Sequence, residues 1–335
     1  MDLTEMAQRL EELDSNLGTL HARFDAHCGR DGILEYLLAD SLGLLEVVVS
    51  RDPYLGTAAA RVFEHYVRPY EAGERAAETN ETDEKRQGSA RATHADPSTE
   101  EAPPETLDDR RLGIGLCGGR AIRAMVKEIR QKYSCINVLP LPCAGLPQDV
   151  PFSVNTVIGM FCSKYRENDQ VTGLHMPVDP HVLGHFGNEA LKKIRKDMEE
   201  NVFRFVDFAF GGIGSTVQGD ALEKLAPVCK FDLDYFIGMG LVGDMLYQGI
   251  KESGEKMEIP ELDERILGLP LHQLRDLRED PNARLRVVVG VAGGKKKARA
   301  IHAACKGRYI NVLVTDEGAA RELLKLCHID MRRQR

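Results

Sequence analysis

Five short runs dominated by apolar residues, separated by stretches with helical apolar spacing, set the strongest limit on how this chain can fold. The runs are LGIGL, CINVLPL, VDFAFGGIG, RVVVGVAGG and YINVLVTDE, and the intervening stretches include AIRAMVKEIRQKY, EALKKIRKDMEENVF and KKARAIHAACK. Strands that are apolar without alternation are buried on both faces. Amphipathic helices between them cover those faces, so the pattern predicts a doubly wound, mostly parallel α/β sheet. No period of the kind that solenoids and propellers show is visible.

Glycine gathers where these runs end. Gly118 and Gly119 follow LGIGLC, Gly145 follows LPLPCA, Gly211, Gly212 and Gly214 follow DFAF, and Gly293 and Gly294 follow VVVGVA. Open parallel sheets bind ligands at their carboxyl edge. Glycine there lets backbone N–H groups approach an anion, and the next helix adds the positive end of its dipole. The turn at 118–121 leads into a helix with Ile122, Met125, Val126 and Ile129 on one face, and Arg120 adds a charge-assisted donor. Lys295, Lys296 and Lys297 stand at a predicted helix start, where cations are disfavoured unless something negative sits beside them. Lys295 or Lys297 is therefore a candidate contact for an anion. Asp244, in GLVGDM, is read as a turn residue between the run DYFIGMG and a following helix. It would either accept sugar hydroxyls or cap that helix.

Other chemistries find little support. There is no Walker A spacing, GxSxG elbow or HExxH, and GIGLCGG lacks the dinucleotide spacing. His175, His181 and His185 lie close together, but Pro177 and Pro180 break the spacing, so no metal or cofactor is expected. The eight cysteines never form closely spaced pairs and read as reduced core residues, with Cys117 beside the first glycine loop. A net charge of -8 argues against a broad nucleic-acid-binding surface.

The remaining segments suggest organisation. Leu3, Met6, Leu10, Leu13, Leu17, Leu20 and Phe24 form an a/d seam, so residues 1–30 are expected to form a helix that self-associates or lies on its own domain. Packed structure begins at 31–70. Residues 71–111, poor in large apolar side chains, read as a disordered acidic insertion, and 112–330 as the main domain. The start MDLTEMAQRLEELDSN lacks a basic, apolar signal, and no apolar run is long enough to span a membrane, so a cytoplasmic protein is expected.

Taken together, LADSLGLLEVVVSRD, LGTAAARVFEHYV, LGIGLCGGRAIRAMV, INVLPLPCAG, FVDFAFGGIGS, MGLVGDMLYQGIKESG, RILGLPLHQL and VAGGKKKARAIHAACKGRYINVLVTDEGAARELL resemble the effector-binding domain of SorC-family sugar-responsive regulators, from about Leu34 to Leu326. The resemblance implies a fold akin to sugar-phosphate isomerases and deaminases and a phosphorylated sugar as ligand. Carried over by position, the ligand loops are Gly118, Gly119 and Arg120; Gly145; Gly212, Ile213, Gly214 and Ser215; Asp244; and Lys297 with Gly293 and Gly294. A homo-oligomer, a dimer or tetramer, is expected from the a/d seam of the first helix.

The chain departs from the family pattern in two places. Arg120-Ala121 stands where family members carry a hydroxyl residue, and the first thirty residues lack a helix-turn-helix signature, so direct DNA binding by this chain is not expected. A ligand sensor is the leading reading. An isomerase or deaminase, with Asp149, Asp244 and His185 as candidate groups, and a degenerate scaffold are the alternatives.

Overall fold

The computed structural model describes residues 32–51, 55–68, 111–143, 147–165, 171–175, 187–217, 219–281 and 283–328. The expected N-terminal helix (1–30), nearly all of the expected insertion (71–111) and Gly145 lie outside the described residues.

Helix α1 (Gly32–Leu42) leads into β1 (Glu46–Ser50), and α2 spans 55–68. Next come β2 (Leu112–Leu116), α3 (Arg120–Glu128), β3 (Ile136–Pro140), β4 (Pro142–Cys143), a 3-10 turn (Pro147–Phe152), α4 (Val154–Cys162) and β5 (Val171–Gly173). The chain continues through α5 (Asn188–Asn201), β6 (Phe208–Ser215), α6 (Ala221–Cys229), α7 (Leu233–Gly238), β7 (Leu241–Met245), β8 (Gln248–Lys251), β9 (Lys256–Met257), α8 (Pro260–Asp263) and β10 (Leu267–Gly268). It closes with α9 (Leu271–Glu279), β11 (Val287–Val291), a 3-10 turn (Lys295–Lys297), α10 (Ala298–Lys306), β12 (Val312–Asp316) and α11 (Glu317–Leu326).

The main sheet runs β1-β12-β11-β6-β2-β3-β5, and every pair along this path is parallel. Every residue of β2, β3 and β11 is buried, which requires cover on both faces. This is the doubly wound sheet expected from the apolar runs. From β2 the chain winds outward through β3 and β5, then returns to β6 on the other side and winds outward through β11 and β12. The topological switch therefore lies between β2 and β6, where a crevice opens at the carboxyl edge.

Beside its pairing with β2, β6 changes partner along its length. Phe208–Gly212 pairs parallel with β11, whereas Ile213–Ser215 pairs antiparallel with β7. The antiparallel arm β7-β8-β9 thus rises from the ligand edge. A second apolar cluster, with Leu222 and Leu225 of α6, Leu241 of β7, Met257 of β9 and Leu262 of α8, packs this arm against its helices. The opposite, amino edge is tied by charge. Arg284 pairs with Asp207 at 2.7 Å and donates to the Arg111 carbonyl, and Asp207 accepts from the Gly113 N–H.

Two expectations are corrected here. DYFIGMG is not a strand run, because its first part forms α7. Asp244 accordingly sits within strand β7, not in a turn, and no helix starts beside it to be capped.

Candidate functional site

A cavity of about 460 Å³ occupies the crevice at the switch point, in the size range of small-molecule sites. Its walls come from the loop after β2, the second half of β6, the loop after β11, the tip of the β7-β8 hairpin, α6 and the start of α2.

The first wall is the turn between β2 and α3. A Cβ on Gly118 would stand 2.5 Å from the Phe152 carbonyl oxygen, and Gly119 has φ 103°, so both positions suit glycine. The Gly119 N–H donates to the Phe152 carbonyl at 2.7 Å, which pins the turn to the 3-10 segment. α3 then starts at Arg120 with no side-chain cap, leaving its first-turn amides without intrahelical acceptors. The Arg120 guanidinium stands 5.7 Å from the centre of the Phe152 ring.

β6 forms the floor. The Gly212 N–H donates to the Cys117 sulfur at 3.1 Å, and that thiol donates to the Gly118 carbonyl. Burial pushes the Cys117 pKa up to about 12, so the group packs the floor as a neutral thiol. A Cβ on Gly214 would lie 2.0 Å from Asp244 Oδ1, so the missing side chain is the space the carboxyl occupies.

The far wall is a charge cluster. Lys297 Nζ donates to the Ile213 carbonyl at 3.1 Å and pairs with Asp220 at 3.4 Å. Asp220 in turn accepts from the Ser215 N–H and hydroxyl, at 2.9 Å and 2.5 Å. Asp244, 4% exposed, lines the same space, and its Oδ1 has no hydrogen-bond partner. Burial lifts the Asp244 pKa from 3.8 to about 7. The Lys297 charge opposes that rise, the Asp220 charge adds to it, and a bond from the Tyr247 backbone N–H opposes it.

The structure brings together Gly118, Gly119, Arg120, Gly212, Ile213, Gly214, Asp244, Gly293 and Lys297 around one cavity. It separates three others from it. Ser215 is buried behind Asp220. The Gly294 N–H donates to Asp316 Oδ2 at 2.5 Å, and the Lys295 stem lies beside Gly318, so both face the neighbouring helix end. Of the two lysines marked by the sequence, Lys297 is the one that lines the cavity. Among the described residues no group of three or more side chains is arranged to hold a metal ion, and His181 and His185 lie outside them.

Sequence reasoning missed Asp220, Lys224, Phe152, Leu246 and Tyr247. Asp220 precedes α6 and reads as an ordinary cap, yet it makes no capping bond and turns inward instead. Leu246 and Tyr247 form the two-residue tip between Met245 and Gln248, with φ 54° and 61°. Positive φ at both positions is the pattern of a type I′ hairpin turn, normally built from Asn-Gly or Asp-Gly, so bulky residues there store strain at the cavity.

A largely apolar cavity with a few convergent charged groups at the switch point of a doubly wound parallel sheet defines a small-molecule-binding α/β domain. The family model "Putative sugar-binding domain" matches residues 104–325, and the chain belongs to that family. It is 39% identical over 122 residues to the transcriptional regulator LsrR of Enterobacter sp. (strain 638), a match covering 36% of this chain and 35% of that protein. The chain thus matches about a third of the length of that curated relative. Among solved structures, a DeoR family transcriptional regulator from Listeria monocytogenes superposes with TM-score 0.61 at 18% identity, over 87% of this chain and 98% of that one. The full-length sorbitol operon regulator SorC from Klebsiella pneumoniae superposes with TM-score 0.59 at 19% identity, over 97% and 94%. The fold expected from the SorC resemblance is therefore present. No helix among the described residues is long and apolar enough to cross a membrane.

Proposed function

We propose that this chain binds a phosphorylated sugar in the switch-point cavity and works as the ligand sensor of a regulatory system in the cytoplasm. The observation that carries the reading is the lining of the switch-point cavity, where the carboxyls of Asp220 and Asp244 meet Arg120, Lys224, Lys297 and the glycines of three strand-end loops. Carboxyl groups accept from sugar hydroxyls, and cations with exposed backbone amides answer a phosphate. Arg120, Lys224 and Lys297 supply positive charge for a phosphate. Membership of the sugar-binding family and the regulator names of its relatives support a sensing role. Ligand binding would order the strained β7-β8 tip and alter how subunits of a homo-oligomer associate, with DNA contact made by another module.

The test is thermal unfolding of the full chain with a panel of sugar phosphates and the matching free sugars. A ligand at 100 times its dissociation constant adds about 2.7 kcal/mol, or about 5–10 °C for a domain of this size. The expected result is a shift with one phosphate, absent with its free sugar and lost in Lys297→Ala. Equal shifts with free sugars, or none with any compound, would refute the reading.

A further inference from the structure

Five large apolar side chains are exposed among the described residues, and three of them sit on one short element. Tyr235, Ile237 and Met239, on α7 and the residue that caps it, are 60%, 38% and 54% exposed. The other two, Leu45 and Val150, stand alone on separate segments. Single exposed apolar groups are ordinary, whereas a contiguous set marks a contact surface. No residue of α7 is fully buried, and only Leu233 and Phe236 reach inward to the second apolar cluster. A helix of six residues is too short to hold itself, so the monomer gives this one thin support.

Gly238 is an independent sign. It stands exposed between Ile237 and Met239, its backbone is helical, and a Cβ there would meet nothing, so neither conformation nor packing within the monomer asks for glycine. Glycine in a helix costs stability, and close approach of another backbone is a reason to keep it. The rim of the face carries both signs of charge. Lys230 precedes the helix and Asp234 lies in its first turn, both exposed and neither in an ion pair among the described residues. A rim of one sign would select a nucleic acid or a charged lipid surface. A rim of both signs complements itself when turned about a two-fold axis.

We propose that the outer face of α7 is a two-fold interface between copies of this chain, with Tyr235, Ile237 and Met239 at its centre and Lys230 of each copy facing Asp234 of the other. Stable interfaces bury about 800 Å² per partner, with an apolar core inside a polar rim, and this face supplies core and rim in one place. α7 runs into β7, the strand that carries Asp244 on the cavity wall, so a ligand that shifts β7 would shift this face. That link deepens the sensing reading and rests on it. The interface itself rests on the surface alone and is tested without ligand, so the two can fail separately.

Sedimentation velocity of the full chain over a range of concentrations tests this in wild type, Tyr235→Glu, Met239→Glu, Lys230→Asp and Asp234→Lys. All four positions are exposed, and melting curves confirm that each variant folds. The expected result is a wild-type assembly whose mass halves in Tyr235→Glu and in Met239→Glu, with the dissociation constant raised at least about tenfold. Each charge variant alone should weaken association by about threefold to tenfold, and an equimolar mixture of Lys230→Asp with Asp234→Lys should restore it, because unlike charges then meet at both ends of the interface. A wild-type chain that stays monomeric overturns the proposal and leaves the face to a partner of another kind. An assembly of unchanged mass in both glutamate variants also overturns it, and assigns self-association to the seam expected over residues 1–30 or to another surface. A mixture that associates no better than its two components overturns the two-fold arrangement.

Discussion

Asp244→Asn should make the empty protein more stable while removing its response to ligand. The substitution keeps the side chain's shape and deletes its charge. Burial raises the carboxyl's pKa from 3.8 to about 7, so holding it ionised in the fold costs about 1.4 kcal/mol per unit, about 4 kcal/mol in all. Below about pH 4 the group is neutral in folded and unfolded chains and contributes nothing. Between about pH 4 and 7 the folded state binds more protons than the unfolded one, so stability falls as pH rises, and above about 7 the loss is constant. Asn carries no such cost, but its amide brings donors without acceptors, which take back about 1–3 kcal/mol. The net gain is about 1–3 kcal/mol at about pH 8, and it turns into a loss of about 1–3 kcal/mol toward about pH 4, where only the amide's cost remains. Urea unfolding across that range measures it as a shift in midpoint at constant slope. A difference between the two proteins that does not change with pH, or a variant less stable at about pH 8, would refute the account of Asp244 as a carboxyl destabilised by burial.

Other substitutions separate the fold's supports from the cavity. Arg284→Ala strands Asp207, 14% exposed, at the amino edge, and should cost about 2–4 kcal/mol in chemical unfolding with ligand affinity unchanged. Tyr247→Asn puts a residue that tolerates positive φ at the hairpin tip and should leave stability within about 1 kcal/mol, the eased backbone offsetting lost packing, while titration shows weaker ligand binding because a lining side chain is gone. Gly118→Ala sets a Cβ against the Phe152 carbonyl and should cost about 1–3 kcal/mol by the same unfolding assay, with loss of the ligand-induced thermal shift.

The sheet was legible because its strands are buried on both faces and so carry no polar alternation to confuse with a helix. LGIGL and RVVVGVAGG each contain a five-residue strand close to where the pattern ends. The antiparallel arm was not legible. LVGDM is a buried strand, but its hairpin turns on Leu-Tyr, which carries none of the glycine or asparagine that marks such a turn, and the preceding LDYFIG forms a short helix from residues equally at home in strands. The glycine edge was found because close backbone approach needs glycine in any ligand loop. Asp220 was missed because its inward turn depends on Ser215 and Lys297, which lie five and seventy-seven residues away and meet it only in the folded chain. The lysine run shows the same dependence on context, since backbone direction alone sends Lys295 toward Gly318 and Lys297 into the cavity.

Hydrogen exchange of the full chain, with and without the sugar phosphate that gives the largest thermal shift, tests most directly whether the ligand occupies this cavity. Slowed exchange concentrated in peptides covering 117–121, 212–215 and 243–248 is the predicted result. A stabilising ligand that leaves those peptides unchanged and protects others would place its site elsewhere and contradict the account.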